Sequence, residues 1–320
     1  MIDLRSDFCA PPTEEMWAAM RLGDERAVEK LELTVAFELG KEAGLFCPTC
    51  TAANLVALLA LAEPGRGAVV EAASHIHVAE GGGLSAVARL LPVSVTARDG
   101  SLSPDEVETA VVMRQAAIVC LENTHTRAGG KVLDAATTAA IAGAARKHGA
   151  SVHLDGARLV NAAAALAVDI GELTAPVDSV AVSLNKGLCA PYGAVLAGDA
   201  AMVAAARGHL HRLGGGTVHK AGVLAAAGLI AWERMRSRLL EDHDRARRLA
   251  TLLGLPAPDT NIVLTELAAS TLPELERGDV LALAPGGGKV RLVTHRGIGD
   301  RDVERAAEAV AAVAAAQPTL

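Results

Sequence analysis

Short apolar runs rich in β-branched residues alternate along this chain with Ala- and Leu-rich stretches of helical period. GAVVEAA (67–73), ARLLPVSVTA (88–97), AAIVCLENT (116–124), ASVHLDG (150–156), DSVAVSLNK (178–186) and GAVLAG (193–198) read as short buried strands. TAANLVALLALAE (51–63) and TTAAIAGAARKHG (137–149) read as helices between them. Ser103-Pro104-Asp105-Glu106 predicts a helix start, because a serine cap, a first-turn proline and two acids suit the free N–H groups there. Such alternation predicts a mostly parallel sheet with helices on both faces. Residues 221–254 read as one long bridging helix whose charged stretch, 233–248, makes a solvated face. NIVLTEL (261–267) and KVRLVTH (289–295) follow as strands, and 301–316 as a closing amphipathic helix. The expected division is an arm over 1–14, a large α/β domain over 15–232 and a small C-terminal α+β domain over 233–320.

Composition narrows the function classes. The chain has 320 residues, 51% of them apolar, which supports a full core and excludes a mainly disordered protein. Aromatic residues make up only 2%, the formal net charge is -7, and no long basic run occurs. A nucleic-acid groove needs a basic face and stacking rings, so no nucleic-acid partner is expected. The start, MIDLRSDFCAPPTEE, is charged and lacks the apolar core of a secretory signal. No apolar stretch reaches the length of about 18 residues needed to span a membrane. Five cysteines are too few and too scattered for a disulfide framework. A cytoplasmic protein without membrane contact is the expectation.

Candidate chemistry gathers at strand ends, where open α/β sheets bind ligands. ASVHLDGAR places Asp155 after one apolar strand, and DSVAVSLNKG places Lys186 after the next, 31 residues on. IVCLENTH ends in Glu122, Asn123 and His125. An aspartate and a lysine so placed suit pyridoxal phosphate: the lysine forms the Schiff base and the carboxylate keeps the pyridine nitrogen protonated. Taken alone, Lys186 also reads as a solvated lysine in a loop.

Further motifs specify a family. HLDGARLVNA (153–162), VSLNKGLCAPYGAVLAG (182–198), LGGG with AGVLAAAG (213–228), MIDLRSD (1–7), ASHIHVAEGG (73–82), LENTHTRAGGKV (121–132) and RLVTH (291–295) occur in the order of the low-specificity L-threonine aldolases. The chain resembles that family from its first residue to about residue 310. The resemblance implies fold type I, the aspartate-aminotransferase-like pyridoxal-phosphate fold. It implies retro-aldol cleavage of L-threonine or L-allo-threonine to glycine and acetaldehyde. Residue by residue, it makes Lys186 the Schiff-base lysine and Asp155 the partner of the pyridine nitrogen. Arg158 would approach the cofactor edge and the substrate carboxylate, with Arg291 and Ser6 completing that clamp. His75 would stack on the ring, and His75 or His125 would act as the base. Cys50 and Thr51, opening a helix, would form the phosphate cup with Ser183 nearby. No metal is implied. A homodimer or homotetramer is implied, with active sites at the dimer interface.

Several positions depart from the family pattern. Asn185-Lys186-Gly187 stands where Ser-Lys-Gly is usual, Thr49-Cys50-Thr51 where Ser-Gly-Thr is usual, and Thr217-Val218-His219-Lys220 where Met-Arg-Gln follows the glycines. A tyrosine-containing loop near residue 24 is absent. These changes leave open a bulkier substrate, glycine condensation, β-elimination, or a degenerate binding protein. Cys47 and Cys50 form a lone CxxC, read as small buried thiols rather than a metal site. His209-Leu210-His211 reads as a helix face, and the triplets 81–83, 214–216 and 286–288 as turns. Tyr192 reads as a substrate or subunit contact.

Overall fold

The computed structural model describes residues 1–317 except Glu25, Thr217 and Gly287. The reading of Thr217 as a family departure and the centre of the glycine triplet 286–288 therefore lie outside the described residues.

Seven strands form the central sheet in the spatial order Ala43–Cys47, Ala194–Gly198, Ser179–Ser183, Ser151–Asp155, Ala116–Glu122, Gly67–Glu71, Leu91–Val95. The last five run parallel, and Ala194–Gly198 is antiparallel to both of its neighbours. All six strands expected in this part of the chain are present. The seventh, Ala43–Cys47, has no counterpart among the expected strands. Leu91–Val95 is not buried as expected: it is the sheet edge, with Leu91, Pro92 and Ser94 exposed. The inner strands are apolar on both faces because helices cover both, as parallel sheets require.

Helices end where the chain supplies caps. Ser103 and Glu106 form the expected capping box at Pro104–Arg114. The long helix expected over 221–254 is instead two, Ala221–Arg234 and Leu239–Leu252, separated by a tight turn over Arg236–Arg238. Arg236 closes the first: its Nε donates to the Trp232 carbonyl at 2.8 Å and its guanidinium lies 4.6 Å from the Trp232 ring centre. Nor is the charged run purely a solvated face. Asp242 and His243 within it are fully buried, the former paired with Arg238.

The C-terminal unit has its own core, where Leu249, Val263, Leu292 and Val303 pack with Ile2 and Leu4 of the arm. Strands Ile262–Ala268 and Lys289–Val293 pair antiparallel, and Ile2–Asp3 runs parallel to Val280–Leu281. The Val293 N–H donates to the Leu4 carbonyl. The arm is thus stitched to the C-terminal unit, and Ser6 and Asp7 emerge where that unit meets the large sheet. No helix among the described residues is long and apolar enough to cross a membrane.

Candidate active site

Two groups of residues meet at the carboxyl edge of the sheet. The first is carried by strand ends. Asp155 is buried at the end of its strand, and its Oδ1 accepts the Ala157 N–H at 3.1 Å and the Cys50 thiol at 3.8 Å. Among the described residues, Oδ2 has only His75 Nδ1 beside it, at 4.0 Å. Lys186 lies half-buried in the turn after Ser179–Ser183, and its charge acts on Asp7, Cys50 and His75. It has no hydrogen-bond or carboxylate partner of its own among the described residues. Close packing fixes this turn: a Cβ on Gly187 would come within 2.9 Å of Leu239 Cδ2.

Thr49 caps the helix Cys50–Leu61, its hydroxyl accepting the Ala52 N–H at 3.0 Å. The N–H groups of Cys50 and Thr51 find no acceptor among the described residues, as at helix starts generally, which is what lets such amides take an anion. Ser183 is buried near the Cys50 thiol, which burial and then Asp155 push well above its usual pKa. Cys50 therefore does more than fill space as a buried thiol; it rests on the carboxylate.

The two histidines differ sharply. His75 is one-third exposed, and its Nδ1 lies 3.0 Å from Glu80 Oε1. A carboxylate only accepts, so Nδ1 carries the proton and the Nε2 lone pair is left without a protein partner. The bond to Glu80 raises the His75 pKa above its ordinary value, against the effect of burial. Glu80 Oε1 also accepts Asn54 Nδ2 at 2.9 Å, Asn54 Oδ1 meets His153 Nε2 at 3.0 Å, and His153 Nδ1 meets Ser179 Oγ at 2.7 Å. A continuous polar chain thus anchors His75 to the sheet. His125, expected to face the substrate, is only 2% exposed. Its Nε2 lies 3.0 Å from Glu71 Oε2, and its Nδ1 accepts the Ala128 N–H at 3.3 Å. Both of its ring nitrogens are thus committed inside the protein, whereas His75 Nε2 has no partner among the described residues.

The second group lies at the seam. Arg158 is buried and does not present a free fork to substrate as expected. Its Nε and Nη2 donate to the two Asp7 oxygens at 2.9 and 2.7 Å, and its Nη1 donates to Thr126 Oγ1 at 2.9 Å. Ser6 Oγ donates to Asp7 Oδ1 at 3.1 Å and receives Arg158 Nη2 at 3.3 Å. Burial would raise the Asp7 pKa, but Arg158 outweighs it and holds Asp7 far below the usual carboxylate range. Arg291, also buried, donates Nη2 to the Arg5 carbonyl at 3.1 Å, while its Nε has no partner among the described residues. A buried guanidinium N–H left unpaired is costly, and here it is the open donor of the site.

Residues 3–269 match the β-eliminating lyase family. The low-specificity L-threonine aldolase 1 of Arabidopsis thaliana is 33% identical, covering 94% of this chain and 93% of that protein. The low specificity L-threonine aldolase of Escherichia coli (strain K12) is 35% identical, covering 92% and 94% respectively. The chain belongs to the β-eliminating lyase family. Among solved structures, the threonine aldolase of Leishmania major superposes with a TM-score of 0.82 at 18% identity, covering 98% of this chain and 100% of that one. The fold is therefore pyridoxal-phosphate fold type I.

The residues of this β-eliminating lyase fit the cofactor its family implies. Among the described residues, Asp155 Oδ2 is open to a pyridinium N–H, the Cys50 and Thr51 amides are open to phosphate, and Lys186 is unpaired. Asp7, Glu80 and Arg127 were not singled out from sequence. Asp7 and Glu80 stand inside the quoted motifs LRSD and HIHVAEGG, but only the fold shows what they hold.

Proposed function

We infer that the protein is a pyridoxal-phosphate-dependent lyase that cleaves the Cα–Cβ bond of a β-hydroxy-α-amino acid of the L-threonine or L-allo-threonine type, releasing glycine and an aldehyde. The carrying observation is the Glu80–His75 pair beside Asp155 and Lys186, with an unpartnered nitrogen on His75. Lys186 would hold the cofactor covalently, Asp155 its ring nitrogen, and Cys50, Thr51 and Ser183 its phosphate end. When bound, the cofactor supplies the sink for the electron pair of the broken bond.

The chain's own residues supply the rest. The buried Arg291, with Ser6 beside it, binds the substrate carboxylate through the open Nε. The Arg158–Asp7 pair gives that pocket a rigid floor. His75 Nε2 takes the β-hydroxyl proton while Glu80 stabilises the charge that develops on the ring, a division of labour general acid–base catalysis requires. His125 and Glu71 hold the turn that carries Thr126 against Arg158.

The same reading takes the protein to be a cytoplasmic homodimer or homotetramer. Its five cysteines are free. A cleft of about 600 Å³ lined by Gly23, Val28, Val218, His219 and Lys220 opens beside exposed Leu22. A second copy could seat there in the homo-oligomer this reading implies.

The test is to incubate the holoprotein with L-threonine, L-allo-threonine, β-phenylserine and L-serine and to score aldehyde plus glycine against keto acid plus ammonia. Aldehyde and glycine from the β-hydroxy substrates support the reading. Keto acid and ammonia would assign β-elimination, and bound cofactor with no turnover of any member would assign a binding protein.

A further inference from the structure

Arg127 is a charged group at this site that the chemistry above leaves unused. It sits in the turn Thr126–Ala128, directly after the threonine whose hydroxyl accepts Arg158 Nη1. Its side chain reaches across the seam toward the loop that leads into the Arg291 strand: a Cβ on Gly286 would stand 3.5 Å from Arg127 Nε. Arg127 is half-buried, yet among the described residues it has neither a carboxylate nor a hydrogen-bond partner.

Among the described residues, none of the carboxylates at the site pairs with Arg127. Arg158, Arg291 and Arg127 converge here, and Asp7 is already committed to both nitrogens of Arg158. Glu122 accepts the His75 and Thr126 N–H groups, and Glu71 holds His125. Burial, then Arg158 and Arg127, push Arg291 down to about 10, with Asp7 acting against them. One α-carboxylate on Arg291 would still leave Arg127 without a counter-ion.

We propose that Arg127 is a specificity residue that pairs with a second carboxylate on the substrate, so that the preferred class is a β-hydroxy-α-amino dicarboxylic acid, of which β-hydroxyaspartate is the smallest. This rests on the retro-aldol reading above. Two carboxylates held two carbons apart suit two neighbouring guanidiniums, one each. The reaction stays balanced without oxidant or reductant. The β-hydroxyl proton passes to His75, the Cα–Cβ bond breaks, the β-carbon becomes the carbonyl of a 2-oxo acid, and Cα takes up a proton to give glycine. With threonine, a methyl group would face Arg127 and leave its donors unmet, which is how a polar pocket rejects an apolar analogue.

The experiment compares kcat/KM for β-hydroxyaspartate and L-threonine in the wild-type holoenzyme and in Arg127→Gln, Arg127→Lys and Arg127→Glu. A parallel titration with L-aspartate and L-alanine, which cannot be cleaved, reads binding from the cofactor absorbance. The wild type is expected to favour the dicarboxylate by about 10-fold or more, a modest share of what a charge-assisted pair supplies. Arg127→Gln should lose that preference and weaken L-aspartate binding while threonine cleavage stays within about 3-fold, well under one charged hydrogen bond. Arg127→Lys should keep part of the preference and Arg127→Glu should reverse it. Threonine cleaved as well as or better than the dicarboxylate in the wild type, or both substrates losing equally in Arg127→Gln, would overturn the proposal. Failure to cleave either substrate would instead bring down the retro-aldol reading itself.

Discussion

The sheet edge and the seam build two halves of one site by different means. At the sheet edge, Asp155, Ser183 and Lys186 stand on or just after parallel strands, and their positions follow from the strand register. At the seam, Arg158 is fixed by Asp7 from the arm, and Arg291 comes from an antiparallel strand pair of the C-terminal unit. The edge is anchored by backbone pairing, the seam by a buried ion pair bridging residues 151 positions apart. The edge can therefore lose a side chain and keep its shape, whereas the seam depends on its charges for shape as well as for chemistry.

That contrast can be broken in order of effect. Lys186→Ala should abolish the visible band of bound cofactor and reduce cleavage to background, with thermal stability of the apo protein unchanged; a retained band would place the anchoring amine elsewhere. His75→Asn should lower kcat by about 10²- to 10⁴-fold, the usual span for a general base. His125→Asn should cost much less, and equal losses at both would remove the distinction drawn between them. Because Glu80 raises the His75 pKa above 6.5, the rising limb of kcat/KM lies above that pH, and Glu80→Gln should move it lower. An unmoved limb would show that Glu80 does not control the base.

At the seam, Asp7→Asn leaves the buried Arg158 charge unpaired and should destabilise the protein by about 3–5 kcal/mol. Urea denaturation reads this directly, and a loss under about 1 kcal/mol would mean that water or Thr126 already satisfies Arg158. The smallest effect is shared by both regions. His153 behind the sheet edge and His243 at the seam are buried, and burial pushes both pKa values from 6.5 down to about 4. The unfolded chain binds these protons more readily, so stability is full above about pH 6.5 and falls as pH drops toward 4, by about 3 kcal/mol per histidine. His153→Gln and His243→Gln should each flatten that slope; a slope unchanged in both would assign acid lability to other groups.

Legibility in sequence follows the same line. The inner strands of the sheet carry apolar runs, so the fold class and the strand-end positions of Asp155 and Lys186 could be read directly. Ala43–Cys47 escaped because AGLFC is short and sits between one helix end and the start of the helix Cys50–Leu61. The helix break at 236–238 escaped because Arg and Ser are helix-compatible, and the stop comes from Arg236 folding back on Trp232. Asp7, Glu80 and Arg127 are ordinary polar residues in sequence. Their meaning arises only when distant segments converge, as does the inward turn of His125 onto Glu71.

The central claim is carbon–carbon cleavage by a site that uses Lys186 and His75 together. The most direct measurement is the product balance from L-threonine with purified holoenzyme, followed over a full time course. The wild type should give glycine and acetaldehyde in equal amounts, and Lys186→Ala neither. A keto acid with ammonia, or glycine formed without its matching aldehyde, would contradict it.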